Sequence, residues 1–322
     1  MQKTAIITGA NRGLGYATAK ALAADKTLTV VLAGHDIEST IKAAQQIKRA
    51  ADNDNIVPLY LDLASLAAIR KFVSEFQARD LPPLQILICN AGVSKSSVNE
   101  KSADGYELTF AVNHLGHFLL THLLLEQLVP PARVLFVSSA VHDLAQATGP
   151  MQPPRYVNAT LAAYPAKDPN LPADDEDAGG QAYATSKLCN VLCTLEFARQ
   201  LSKAGITGIT VNAFNPGLMA GTGLGRSGKG FTRLAWYYIL PLVRPLMGKA
   251  ARTTQQSGED LAYLATVPEL ADTTATYFDG RTPAEPATAA RDQAKAAELW
   301  QSSIGLTRLQ PQETILPIGA TA

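Results

Sequence analysis

Cysteine is scarce in this chain, and its three cysteines do not have the spacing of metal ligands. Cys89, Cys189 and Cys193 each lie within an apolar pattern. A few thiols of this kind are typical of buried, reduced cysteines. We therefore expect a cytoplasmic protein without a metal site.

An excess of charge of either sign is also missing. Lysine and arginine together number 28, as do aspartate and glutamate, so the net charge is zero. A nucleic-acid-binding domain usually has a basic footprint, and none is present. Apolar residues make up 47% of the chain, which is enough for a large core. The composition thus predicts a globular protein with no nucleic-acid partner.

Long hydrophobic runs are absent as well. The chain enters an apolar strand pattern at residues 4–8, without the charged and apolar regions of a secretory signal. No window looks long and apolar enough to span a bilayer, so no transmembrane segment is expected. The nearest, residues 234–247, is interrupted by Pro241, Arg244 and Pro245. It could form an amphipathic flap or touch a membrane surface.

Buried strand patterns alternate with helical patterns along most of the chain, and this rhythm predicts a parallel sheet. We predict strands at residues 28–33, 56–61, 85–89, 133–137 and 208–214, with another near 275–278. Helices are predicted at 16–24, 39–50, 64–79, 183–201, 250–265 and 287–302, and one that opens between 105 and 112. The fold class is α/β: a single Rossmann-like, doubly wound parallel sheet with helices on both faces, over residues 1–305. Additions are a long insertion at 141–180, a flap at 218–248 and an irregular tail at 306–322.

The least regular region is the insertion, which contains six prolines and the acidic run 174–177. Loops of this length in compact domains are usually functional or disordered. The acidic run is most simply a solvated surface. We find no internal repeats.

Three glycines follow the first strand closely, at positions 9, 13 and 15, and a helical pattern comes directly after them. Glycine permits a tight turn and a close approach of the backbone to a ligand. The free N–H groups of the next helix suit a pyrophosphate. A glycine-rich turn between a first strand and helix predicts dinucleotide binding.

Other special residues follow the remaining strands. His35, Asp62, Asn90 and Ser139 each come just after a predicted strand, as does the pair Pro216-Gly217. In open parallel sheets, ligands bind at the carboxyl ends of the strands. These residues are therefore expected to converge on one edge of the sheet.

Tyr183 and Lys187 are four residues apart, so on a helix they lie on one face. An ammonium beside a phenol favours phenolate and lowers the phenol pKa. The pair is therefore a candidate acid/base for moving a proton on or off an alcohol oxygen. By contrast, His114, His117 and His122 have no clustered carboxylates or thiols, so we interpret them as packed or solvated residues.

Together these residues resemble a classical short-chain dehydrogenase/reductase. The resemblance covers about residues 3–280. It is carried by Thr8-Gly9-x-x-x-Gly13-x-Gly15, Asp62-Leu63, Asn90-Ala91-Gly92, Asn113, Ser139, Tyr183-x-x-x-Lys187 and Pro216-Gly217. Within the superfamily, Gly105 to Leu108, Asn113 to Thr121, Tyr277-Phe278 and Glu298 to Trp300 resemble the branch of retinol dehydrogenases and protochlorophyllide reductases.

The resemblance implies a role for each residue. Tyr183 would be the acid/base, Lys187 would lower its pKa and bind the nicotinamide ribose, Ser139 would hold the substrate oxygen and Asn113 would support a relay water. Asp62 would contact the adenine. The implied cofactor contacts are Gly9, Asn11, Arg12, Gly13, Leu14, Gly15, His35, Asp62, Leu63, Asn90, Ala91, Gly92, Tyr183, Lys187, Pro216, Gly217, Leu218 and Thr222. NADP(H) is the expected cofactor because Arg12 can pair with a 2′-phosphate and no acidic residue stands at Gly34, with NAD(H) left open.

The sequence departs from the family pattern in three places. His35 stands where retinol-dehydrogenase-like proteins commonly have arginine, and Gly221 where a threonine is usual, with Thr222 next to it. Ser139 and Tyr183 are 44 positions apart, much further than in classical members. Protochlorophyllide reductases also have a long insertion there, but the cysteine they carry after Pro-Gly is Leu218 here.

We keep three functional hypotheses. The first is an NADP(H)-dependent alcohol dehydrogenase or carbonyl reductase for a bulky apolar substrate. The others are a C=C reductase of the protochlorophyllide type and a nucleotide-binding protein without turnover. The flap contains glycines and then aromatic residues, among them Trp236 and Tyr237. It is expected to close over the nicotinamide end and favour large substrates, although these aromatics could instead pack on the body or on a second subunit. The chain could be a monomer or a homodimer.

Overall fold

The computed structural model describes residues 2–143, 152–219 and 251–318. Most of the flap, with Thr222, Trp236 and Tyr237, lies outside this part of the chain, as do residues 144–151 of the insertion. The described strands are β1 Lys3–Thr8, β2 Leu28–Gly34, β3 Ile56–Tyr60, β4 Leu84–Cys89, β5 Leu128–Val137, β6 Ile209–Asn215, β7 Leu218–Met219, β8 Ala251–Arg252, β9 Tyr277–Asp279 and β10 Thr282–Ala284. The described α-helices are α1 Gly13–Leu22, α2 Ile37–Ala51, α3 Leu66–Gln77, α4 Leu108–Phe110, α5 Gly116–Leu124, α6 Ala159–Ala163, α7 Asp175–Lys203, α8 Thr254–Thr266 and α9 Gln293–Thr307.

Eight strands form one sheet in the order β10-β9-β6-β5-β4-β1-β2-β3. All neighbours are parallel except β10, which pairs antiparallel with β9. The order 3-2-1-4-5-6 within it is that of a doubly wound nucleotide-binding sheet. The predicted Rossmann-like α/β fold is confirmed, and β10 is an addition that the sequence did not indicate because it has only three residues.

Helices cover both faces of this sheet. One apolar core lies between the sheet and α1, α2 and α8, and the other contains residues of α3, α5, α7 and α9. The second core includes an aromatic cluster in which Trp300 of α9 packs edge-on against Phe118 and Phe197. The C-terminal helix is thus an integral part of the second layer.

Helix α7 begins eight residues before the predicted start at Tyr183. Asp174 caps it by accepting hydrogen bonds from the N–H groups of Glu176 and Asp177. The acidic run is exposed, as expected. It also supplies the negative charge that stabilises a helix N-terminus. The insertion is therefore partly helical, since α6 and the first six residues of α7 lie within it.

The tail that was predicted to be irregular packs on the body. Helix α9 continues to Thr307, and Leu309 and Leu316 beyond it are buried. Arg70 of α3 pairs with Glu313 of the tail at 2.6 Å. Side-chain contacts of this kind have no sequence periodicity, so the pattern did not reveal them.

The prediction that no window is long and apolar enough to span a bilayer is wrong. The helical run Leu108–Gln127 has 20 residues and a window of mean hydropathy 1.3, which by length and composition is enough to cross a bilayer. However, 89% of that window is buried inside the protein. This run is a helix of the core, where apolar residues on all sides are normal.

Candidate active site

The glycine turn lies between β1 and α1, and its geometry depends on glycine. Gly9 and Gly13 have φ of +65° and +59°, which favour glycine. A Cβ on Gly15 would lie 2.6 Å from the oxygen of Gly9. Helix α1 starts at Gly13, earlier than the predicted residue 16, and its N-cap Arg12 makes no side-chain cap. The first N–H groups of α1 therefore have no side-chain cap from Arg12, and the start of a helix in this state suits a bound pyrophosphate.

The segment Asn90-Ala91-Gly92 is fixed against this turn through Thr8. The Asn90 amide nitrogen Nδ2 donates to the Thr8 oxygen at 2.7 Å. The main-chain N–H groups of Asn90 and Ala91 both donate to Thr8 Oγ1 at 2.9 Å. The side chain of Asn90 and the main chain of the segment thus both hold it against the end of β1, where the glycine turn begins.

Asn113 lies in a π-helical turn, Ala111–Leu115, between α4 and α5. Such turns inside α-helices are frequent at functional sites. Its amide group exchanges hydrogen bonds with the main chain of Val93, at 2.8 and 3.0 Å, and donates to Ser186 Oγ at 2.9 Å. Asn113 is fully buried and held in one orientation beside α7.

Tyr183 and Lys187 lie on the inner face of α7, as the spacing predicts. Their exposed fractions are 6% and 4%. The Lys187 Nζ donates to the Val137 oxygen at 3.1 Å, which joins α7 to the end of β5. A Cβ on Gly92 would lie 3.5 Å from Lys187 Nζ and 3.3 Å from Asn113 Oδ1. The structure therefore brings Gly92, Asn113, Tyr183 and Lys187 together.

The protonation of this pair differs from the expectation. Burial raises the pKa of Tyr183 above its usual value, and burial lowers the pKa of Lys187 to about 8. The sequence argument considered only the charge of the ammonium, but desolvation disfavours both charged forms and dominates here. The raised pKa keeps the Tyr183 phenol protonated at neutral pH. Its hydroxyl forms no hydrogen bond with the described residues.

Ser139 begins a short 3-10 turn directly after β5. The neighbouring Ser138 Oγ donates to the Lys187 oxygen at 2.8 Å, so the end of β5 lies against α7 at Lys187. Asn215, at the end of β6, accepts hydrogen bonds from the N–H groups of Ala140 and Gly217, both at 3.1 Å. It therefore ties the Ser139 turn to Pro216-Gly217, a role that its sequence position alone did not indicate.

The residues expected around the adenine end have mostly local contacts. His35 and Arg12 are exposed. Asn11 Nδ2 donates to Ser39 Oγ at 2.8 Å, which holds the glycine turn against the start of α2. Asp62 accepts from the Ala64 N–H at 2.9 Å.

Leu14 and Leu63 are buried in the core. Leu14 belongs to the core that contains α1, and Leu63 belongs to the other core. Leu218 belongs to β7, which pairs with β8, and so brings together the chain on either side of the segment 220–250. Thr222 lies outside the described residues.

The three histidines of the α4–α5 region are packed and hydrogen-bonded. His114 contacts Ser303, His122 contacts Thr314, and His117 contacts Thr8 Oγ1, each at 2.9 Å. Within residues 2–143, 152–219 and 251–318 there is no group of three or more metal-ligating side chains. His117 was missed as a site residue: its Nδ1 donates to the Asn113 oxygen at 3.1 Å, so it links the π-helical turn to the glycine turn through Thr8.

The glycine turn, the strand order and the residues at the strand ends define a dinucleotide-binding α/β enzyme. The family described as short chain dehydrogenase matches residues 3–151. Human retinol dehydrogenase 13 is 35% identical over 314 residues, which are 96% of this chain and 85% of that protein. Protochlorophyllide reductase A of Arabidopsis thaliana is 32% identical over 318 residues, 94% of this chain and 76% of that protein.

Among solved structures, a blue fluorescent protein from a metagenomic library in complex with NADPH aligns with a TM-score of 0.61 and 21% identity. The alignment covers 86% of this chain and 96% of that one. This chain belongs to the short-chain dehydrogenase/reductase superfamily of NAD(P)-dependent oxidoreductases, in the branch of retinol dehydrogenases and protochlorophyllide reductases. The resemblance drawn from its motifs is thereby confirmed.

Proposed function

We propose that this protein is an NADP(H)-dependent carbonyl reductase or alcohol dehydrogenase for a bulky apolar substrate. One observation carries the proposal: Tyr183 and Lys187 are buried side by side next to Asn113 and Gly92, at the sheet edge that holds the glycine turn. A buried phenol that keeps its proton can protonate a carbonyl oxygen as that oxygen gains charge.

The described residues fit a nicotinamide dinucleotide. The glycine turn leaves space where a side chain at Gly13 would stand, and the uncapped start of α1 suits the pyrophosphate. Arg12 at this N-terminus would pair with a 2′-phosphate, with His35 as a lesser contact. When bound, the nicotinamide supplies or accepts the hydride at the substrate carbon.

The residues of the chain then divide the remaining work. Tyr183 gives a proton to the substrate oxygen in reduction, or removes one in oxidation. Lys187 holds the nicotinamide ribose and favours the phenolate once Tyr183 has lost its proton. Ser139 donates a hydrogen bond to the substrate oxygen, and Asn113 holds a water that returns a proton to the pair.

Support for a bulky apolar substrate comes from the relatives. Retinol dehydrogenase 13 is named for a long isoprenoid alcohol, and the match covers nearly all of this chain. The aromatic segment after Thr222 agrees with such a substrate by composition alone.

The proposal is tested by mixing the protein with NADPH and either all-trans-retinal or acetone, and following the absorbance of the reduced cofactor. We expect oxidation of NADPH with retinal and little with acetone. Faster oxidation of NADPH with acetone than with retinal would refute the proposed preference for bulky apolar substrates. Cofactor binding without turnover of any carbonyl, alcohol or enone would indicate a nucleotide-binding protein instead.

A second candidate, reduction of a C=C bond, is favoured by the equally long matches to protochlorophyllide reductases at 32% and 33% identity. Leu218 supplies no thiol for such a step. An enone that lacks a reducible aldehyde separates the two candidates, because product analysis shows whether the C=C or the C=O bond gained hydrogen.

A further inference from the structure

His142 is the last residue of the turn that Ser139 begins, and its buried ring contacts the main chain of Ser139. Its ring nitrogen Nδ1 lies 2.7 Å from the main-chain carbonyl oxygen of Ser139. Its Nε2 lies 3.1 Å from the main-chain nitrogen of Ala287. The side chain has no exposed surface, and its ring packs against Tyr277 with the centroids 4.8 Å apart.

These two contacts determine the protonation of the ring. The main-chain carbonyl oxygen of Ser139 can only accept, so Nδ1 must carry the proton. The Ala287 N–H can only donate, so Nε2 must be bare. One neutral tautomer satisfies both partners, and burial, which lowers the pKa of His142, favours that neutral form.

The position of Ser139 depends on its main chain. The Val141 N–H lies 3.5 Å from Ser139 Oγ, which is at the limit of a hydrogen bond. The Oγ accepts in this contact, so the contact does not use the hydroxyl proton. The main-chain oxygen of Ser139 accepts from the His142 ring and also from the His142 main-chain N–H at 3.1 Å. At the next residue, Asn215 accepts from the Ala140 N–H. Asn215 connects the turn to the end of β6, whereas His142 connects it to the segment that leads into α9.

We propose that His142 is a positioning residue, which fixes Ser139 for catalysis by joining its main-chain oxygen to the C-terminal segment at Ala287. The inference rests on the proposed role of Ser139. It gives the part of the chain beyond residue 280 a function in the site, although that part supplies none of the residues expected to touch the substrate.

Two substitutions separate the two contacts of the ring. His142→Asn places an N–H where Nδ1 stands and can keep the bond to Ser139. His142→Gln places an oxygen where Nε2 stands and can keep the bond to Ala287 but not the one to Ser139. With NADPH and all-trans-retinal we expect His142→Gln to lower kcat on the order of 10- to 100-fold, the cost of a misplaced group, while KM for NADPH stays within about twofold. His142→Asn should retain kcat within about threefold.

A double-mutant cycle tests whether the effect passes through Ser139. In a Ser139→Ala background, His142→Gln should cause no further loss of kcat, because the group it positions is gone. Independent, multiplying losses would overturn the proposal, as would equal kcat values for the Asn and Gln variants.

The tautomer of His142 can also be measured without turnover. This measurement tests the proposal even if the variants fail to fold or the unsubstituted protein is inactive. ¹⁵N spectra of histidine-labelled, unsubstituted protein at pH 7 should show His142 with its proton on Nδ1. A proton on Nε2 would overturn the proposal. No NADPH oxidation by the unsubstituted protein, together with the Nδ1 form, would refute the proposed reaction while supporting the His142 contact.

Discussion

The Lys187 Nζ lies 5.6 Å from the centre of the Tyr183 ring and donates its hydrogen bond to Val137 rather than to the phenol. The ammonium is thus close enough to stabilise a phenolate electrostatically but does not bind the hydroxyl. The Tyr183 oxygen remains available to a substrate. In the free protein the phenol keeps its proton, because burial raises its pKa.

Removal of the Tyr183 phenol oxygen should greatly slow the reaction. Tyr183→Phe keeps the ring against Lys187, so NADPH binding should be nearly unchanged, while kcat should fall by a factor on the order of 10² to 10⁴. Steady-state kinetics and cofactor fluorescence measure the two effects. Tyr263→Phe, at a half-exposed position on α8, is the control. Near-normal turnover of Tyr183→Phe would end the proposed mechanism.

The cofactor preference should depend on Arg12. This side chain is exposed at the start of α1 and has no carboxylate partner among the described residues, so its guanidinium is free for a phosphate. In a fluorescence titration, Arg12→Ala should weaken the binding of NADPH much more than the binding of NADH. Lys20→Ala, at the other end of the same helix, should affect neither. If the binding of both cofactors were weakened equally, Arg12 would not bind the 2′-phosphate.

Two adjacent glycines of α7 should respond oppositely to alanine. A Cβ on Gly179 would lie 2.2 Å from the Lys95 oxygen, whereas a Cβ on Gly180 would meet nothing closer than 3.8 Å. Gly180→Ala should therefore stabilise the helix by up to about 1 kcal/mol. Gly179→Ala should destabilise the protein by about 1–3 kcal/mol. Urea unfolding measures both. A stabilised Gly179→Ala variant would mean that the close approach of α7 to the 95–97 loop does not persist in solution.

Acid should destabilise the protein through its buried histidines. Burial lowers the pKa of His114 and His122 to about 3 and that of His117 to about 4, whereas in the unfolded chain it is near 6.5. Below pH 6.5 the unfolded state binds protons that the folded state does not. The stability is therefore complete above pH 6.5 and is lost as the pH falls towards 4.

The three protons of His114, His117 and His122 contribute about 4 kcal/mol per pH unit to the slope near pH 5. His142, whose pKa burial also lowers, adds to it. His122→Phe, whose ring fits the cluster with Phe118 and Trp300, should reduce the slope by the share of one proton, about 1.4 kcal/mol per pH unit. Urea unfolding at pH 7, 6 and 5 gives the slope. The exposed His35→Gln variant should leave the slope unchanged. An unchanged slope in His122→Phe would show that this ring is protonated in the folded state.

The sequence by itself determined the Rossmann-like α/β fold, the glycine turn and the family. These features are local: strand and helix patterns have fixed periods, Gly9 and Gly13 need a backbone that few other residues adopt, and Tyr183 and Lys187 share a face through helix geometry alone. The glycine turn and the residues that follow the other parallel strands were expected at one edge of the sheet, because ligands bind at the carboxyl ends of parallel strands.

Only the tertiary structure decided what depends on burial and on contacts between distant residues. The charge of Lys187 predicted a lower pKa for Tyr183, but burial of Tyr183 raises that pKa instead, because desolvation outweighs an ammonium that lies 5.6 Å from the ring centre. The link from His142 to Ala287 joins residues that are 145 positions apart. No period or motif encodes such a contact, because it exists only once the C-terminal segment has packed against the end of β5.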